Sequence, residues 1–108
     1  MPYKCFMIEV DELGGKWRKP GEQEWSINTI KPVGAMFFFA GDLHAIMPSG
    51  GLWNIDHKGK GWKRTGEPPR ITVTPSINHV GQYHGWLANG IFTDDSEGRK
   101  FKDSAHAE

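Results

Sequence analysis

Ile71-Thr72-Val73-Thr74-Pro75-Ser76-Ile77, followed after a few residues by Tyr83-His84-Gly85-Trp86-Leu87-Ala88-Asn89-Gly90-Ile91-Phe92-Thr93, decides the fold class. The first stretch is rich in β-branched residues, whose stiff side chains favour a pleated backbone. The second places Asn-Gly between two strand-like runs, Gln82–Leu87 and Ile91–Thr93, a strong signal for a hairpin because both turn positions need a positive φ. Pro75 lacks an amide hydrogen, so it ends the strand or marks a sheet edge. Ahead of this region Trp62-Lys63-Arg64-Thr65 reads as extended, and Pro68-Pro69 as a polyproline-like lead into the next strand.

Working outward, the chain reads as short segments between turns. Tyr3–Val10 is a first strand closed by Asp11-Glu12-Leu13-Gly14-Gly15, Lys16–Glu24 is a polar loop, and Trp25–Ile30 alternates as a half-buried strand does. Ala35-Met36-Phe37-Phe38-Phe39-Ala40 is apolar without a period of two, so it is either buried on both faces or part of a short helix between Met36 and Ala45. Leu52–Asp56 is a further short strand. The residues from about 102 form a charged tail expected to fray.

Composition agrees with a β fold. Fourteen Gly and seven Pro in 108 residues work against long helices, while five Trp, six Phe and two Tyr supply a small core. The expectation is a single mainly β domain over residues 1–108, a small sandwich or open barrel of short antiparallel strands with at most one short helix. Pro75 can protect an edge, yet short exposed strands can also pair between copies, so the oligomeric state stays open.

The net formal charge is zero, so no global field draws in nucleic acid or an anionic membrane. A local cluster exists: Lys58, Lys60, Lys63, Arg64 and Arg70 face only one acid, Glu67, whereas Asp94, Asp95 and Glu97 carry the opposite bias. The single cysteine, Cys5, excludes an intramolecular disulfide and reads as a small buried hydrophobe. No signal-peptide core or membrane-length apolar run occurs, which points to the cytoplasm and to no membrane partner.

From Val33 to Phe101, about two thirds of the chain, the sequence resembles small phage and prophage proteins of the DUF6527 type. The resemblance is carried by Leu52-Trp53-Asn54-Ile55-Asp56, Gly66-Glu67-Pro68-Pro69, Thr74-Pro75-Ser76-Ile77, Tyr83-His84-Gly85-Trp86-Leu87 and Asp94-Asp95. That family has no established chemistry. Relatives hold cysteine at the position of Asn54 and near that of His79, which implies a metal site in those proteins; Asn54 is a poor zinc ligand here.

Three functional readings follow. In the first, His44, Asp56, His79 and His84 gather around zinc in a domain with hydrolase-like activity, since imidazole and carboxylate suit a tetrahedral zinc shell. Against it stands the plainer reading of His84 as a hydrogen-bonded histidine near a sheet face. Asp56 or Glu67 with His84 could move protons, but no nucleophile elbow, H-E-x-x-H or phosphate loop is present, so catalysis is the minority reading. In the second, Trp53 and Trp62 bracket His57, Lys58 and Lys60, an interleaving that stacks bases and neutralises phosphates with a steep salt dependence. In the third, favoured by elimination and by the phage-type resemblance, the chain binds a host protein or complex in the host cytoplasm without catalysis and without a cofactor, in a counter-defence role. The candidate binding residues are Trp53, His57, Lys58, Lys60, Lys63, Arg64, His84 and Trp86.

Overall fold

A computed structural model describes residues 2–11, 15–26, 32–58 and 61–101. The fold is all β. Its strands are β1 (Tyr3–Lys4), β2 (Phe6–Met7), β3 (Glu9–Val10), β4 (Lys16–Arg18), β5 (Trp25–Ser26), β6 (Ala35–Phe39) and β7 (Asp42–Ile46), then β8 (Leu52–Asn54), β9 (Lys63–Glu67), β10 (Arg70–His79), β11 (Tyr83–Ala88) and β12 (Ile91–Phe92). They form one sheet ordered β1-β12-β11-β10-β9, a second ordered β2-β6-β7-β8 and a third ordered β3-β4-β5. Among the described residues no helix is long and apolar enough to cross a membrane.

The second sheet is the middle layer. Met36, Ala45 and Trp53 lie opposite one another in its register and join a core with Ile71, Val73, Ile77, Tyr83, Leu87 and Phe92 of the first sheet. Ala35, Phe37 and Ile46 point the other way and pack with Ile8 and Trp17 against the third sheet. Successive strand residues alternate faces, so a strand with a core on each side reads as an unbroken apolar run. This accounts for Ala35–Phe37, buried on both faces. The helix placed between Met36 and Ala45 is instead a tight hairpin: Phe39 pairs with Asp42, and Ala40 and Gly41 adopt φ of 54° and 87°.

Other expectations change in detail. Tyr3–Val10 is extended, but its three strands belong to three different sheets: Tyr3 pairs with Phe92, Phe6 runs parallel to Ala35, and Val10 pairs with Trp17. The β2–β6 pair departs from the all-antiparallel expectation. Lys16–Arg18, expected within a loop, is a strand because Trp17 is buried between exposed Lys16 and Arg18. Pro68 and Pro69 form the turn of the β9–β10 hairpin, closed by Glu67 opposite Arg70, and do not lead into the strand as extended backbone. Pro75 does not end its strand: it lies inside β10, where the register with β11 shifts between Val73 and Ile77 and after β9 has stopped pairing at Lys63. A bulge next to an unpaired edge needs no amide there.

The Asn-Gly hairpin is as expected. Leu87 pairs with Phe92 and Ala88 with Ile91, while Asn89 and Gly90 take φ of 48° and 75°. Gly90 is required twice over, since a Cβ there would lie 2.6 Å from the Pro69 carbonyl oxygen of the neighbouring turn. Residues 27–30 of the expected Trp25–Ile30 strand, and the tail from 102, lie outside the described residues.

Candidate binding cleft

Two sheet edges and one loop make a cleft. β8 is the last strand of the middle sheet, and the second half of β10 has no ladder partner on its β9 side among the described residues, because β9 pairs only as far as Lys63 with Thr74. His57 and Trp62, between β8 and β9, close the third side. The cleft, open to solvent, has a volume of about 400 Å³. Leu52, Trp53 and Asn54 line it from β8, Asn78 and His79 from β10, and His57 and Trp62 from the loop.

An ion pair ties Asp56, after β8, to Arg64 of β9. Asp56 accepts the Leu43 N–H on Oδ2 (2.8 Å) and the Arg64 Nε–H on Oδ1 (2.8 Å), with the second Arg64 nitrogen 3.3 Å from Oδ2. Partial burial alone would raise the Asp56 pKa; the Arg64 hydrogen bond, the Leu43 amide and the charges of Arg64 and His44 outweigh it and hold the carboxyl below its ordinary value. Arg64 lies across from Val73, on the inward side of its sheet, and this tie takes it out of the basic cluster.

Trp62 covers the open end of the core. Its ring is parallel to that of His79 (6.1 Å between centroids, 3° between planes) and meets Trp53 edge-on (5.3 Å, 78°). Trp53 also touches His79 and Phe92. Its side chain is buried, and its indole N–H has no acceptor among the described residues; a buried donor left so costs about 1–3 kcal/mol. This preassembled aromatic wall is mostly apolar.

The rim of the cleft has a main-chain feature as well. Asn78 lies opposite His84 in the β10–β11 ladder. The His84 N–H donates to Asp95 Oδ1 (2.8 Å), and the His84 carbonyl accepts the Ser96 N–H (2.6 Å), so both groups point away from β10. In an antiparallel ladder such a residue belongs to a non-hydrogen-bonded pair, and its partner also turns its N–H and C=O away. The Asn78 main chain therefore faces the cleft.

The candidate residues read from the sequence divide between two places. Trp53 and His57 line the cleft; Lys58, next to His57 in the chain, and Lys63, at the start of β9, are exposed. Lys60 lies outside the described residues. His84 and Trp86 lie on the opposite face of the first sheet, where their rings stack at 6.1 Å, His84 Nδ1 is 3.2 Å from Glu97 Oε2, and Trp86 is 47% exposed.

The zinc set is likewise dispersed. His79 pairs with Tyr83 and His84 with Asn78, so the two histidines project from opposite faces of one ladder. His44 stacks on Phe37 (5.5 Å, 9°) on the side of the third sheet, with Nδ1 3.0 Å from the Asp42 carbonyl oxygen. Asp56 is engaged by Leu43 and Arg64. Among the described residues, no three His, Cys, Asp or Glu side chains gather as a metal shell would require. Sequence reasoning named Trp62 and His79 in other roles and passed over Leu52 and Asn78. Pro75 was the one available sign of an open edge beside them.

No protein-family model, curated protein or solved structure matches the chain.

Proposed function

We propose that this chain is a non-catalytic binding protein that engages a partner protein through the cleft between β8 and the second half of β10. The observation that carries this reading is the juxtaposition of a packed aromatic wall, Trp53, Trp62 and His79, with a main-chain edge at Asn78 that no described strand occupies. Buried aromatic anchors at the centre of a patch with a polar rim are the usual source of protein–protein affinity. Lys58, next to cleft-lining His57 in the chain, and Lys63, on the outer face of β9, are exposed and would favour an acidic partner. Binding a host protein or complex is the role that the phage-type resemblance implies, and the cleft offers a surface for it.

A second reading, single-stranded nucleic acid, draws on the parallel Trp62 and His79 rings and on exposed Lys58 and Lys63 nearby in sequence. The Arg64–Asp56 pair weakens it by removing one cation from the phosphate-facing set. Photo-crosslinking separates the two. A benzoylphenylalanine at position 52, on the rim, is expected to give a protease-sensitive adduct in cells producing the chain, which the same group at position 91 on the far sheet face does not give. A nuclease-sensitive adduct at position 52, or equal labelling from both positions, would overturn the protein-binding reading.

A further inference from the structure

We infer that the ligand of the cleft is an extended peptide segment that adds as a short antiparallel strand to β10 at Asn78, lodging one large apolar side chain against Trp62 and carrying an acidic residue toward Lys63. This deepens the protein-binding reading and rests on it.

The main-chain geometry selects an extended peptide. Asn78 presents one donor and one acceptor to the cleft, because its partner His84 spends both main-chain groups on Asp95 and Ser96. A peptide residue opposite Asn78 can exchange two hydrogen bonds with it, as any added strand does. The bulge at Pro75 and the end of β9 at Lys63 limit the addition to the last residues of β10, so the strand is short.

Alternation then assigns the side chains. The peptide residue opposite Asn78 shares the outer face with the Asn78 side chain, and the residues flanking it share the face of His79. That inner face meets the wall of Trp53, Trp62 and His79, with exposed Leu52 at the rim. A volume of about 400 Å³ holds one large side chain with a short length of main chain. On the outer face Lys63, paired with Thr74, is exposed and makes no ion pair among the described residues, so an acidic residue is the complementary choice there.

The test is selection of a displayed random dodecapeptide library on the full chain, followed by titration of the enriched sequences as synthetic peptides. The expected sequences carry one aromatic or large aliphatic residue and an acid close by. Methylating one backbone nitrogen of the peptide should weaken binding about three- to tenfold, the scale of one lost hydrogen bond, and methylating its neighbours should not. Leu52→Glu, a rim substitution the fold tolerates because Leu52 is 59% exposed, should weaken binding at least about tenfold by placing a charge in the apolar opening. Peptides lost by Leu52→Glu yet indifferent to methylation at every position would overturn strand addition and leave the cleft reading standing. Peptides indifferent to Leu52→Glu, or no enriched peptide at all, would overturn both, and tight binding of oligothymidylate in their place would favour the nucleic-acid reading.

Discussion

Asn78 and His84 face one another across the β10–β11 ladder, and what His84 does with its main chain decides where that of Asn78 points. His84 is tied outward by Asp95 and Ser96. A segment near the C-terminal end of the described chain thus shapes the edge that lines the cleft on the far side of the strand pair.

Trp62 is the principal wall of the cleft. Trp62→Ala removes its contacts with His79 and Trp53 and uncovers the end of the core. Because Trp62 is half-buried, the expected cost is about 1–3 kcal/mol, below the roughly 3–5 kcal/mol of a fully buried aromatic. Urea denaturation measures it, and Trp62→Phe should recover most of the loss.

Gly85 is fixed by its neighbours rather than by its φ. A Cβ there would collide with the Tyr83 hydroxyl and lie 2.7 Å from Thr93 Oγ1, and that hydroxyl donates to the Thr93 carbonyl (2.7 Å). Gly85→Ala should destabilise the fold by about 1–3 kcal/mol through overpacking. Gly15, with no atom within 4 Å of the same position, is the control whose replacement by Ala should show no such penalty.

Asp95 couples stability to pH on the acid side. Enclosure would raise its pKa, but the amides of Arg99 and His84 and the Arg99 guanidinium (2.9 Å) outweigh this and hold the carboxyl below its ordinary value. A depressed carboxyl contributes stability above its unfolded pKa of about 3.9, and that contribution is lost as pH falls through the lower folded value. Asp56 has the same sign. Asp95→Asn should therefore be less stable than the parent near neutral pH, and the two stability curves should converge below about pH 4. Denaturant titrations across this range check it.

Cys5 lies where the N-terminal strand passes from one sheet to the next. It is 3% exposed, and burial pushes its thiol up to about 12. A thiol this buried and protonated should resist Ellman's reagent at pH 8 in the folded protein and react fully once the chain is unfolded in guanidinium.

The legible part of the fold was the part set by local chemistry. Asn89-Gly90 announced its hairpin because the turn needs two positive φ values, whereas the unbroken run from Ala35 fitted a short helix as well as burial on two faces, and only Ala35–Phe37 is buried so. The sheet changes within Tyr3–Val10 were not legible, since a uniform extended backbone does not say which neighbour each residue meets. Ala40-Gly41 hid a turn behind a residue that seldom takes positive φ. At the site, Trp53, His57, Lys58 and Lys63 could be grouped by their nearness in sequence. The separation of His84 and Trp86 from them follows from a pairing register with no local signal. So does the loss of Arg64 to Asp56. Asn78 contributes through its main chain, which residue type does not report.

The open edge at Asn78 is tested most directly by native-state hydrogen exchange read amide by amide. The account predicts that the Asn78 N–H exchanges much faster than the flanking Ile77 and His79 N–H groups, which face β11, and that it becomes protected when a selected peptide binds. Asn78 protection equal to that of Ile77 and His79 in the free protein would contradict it.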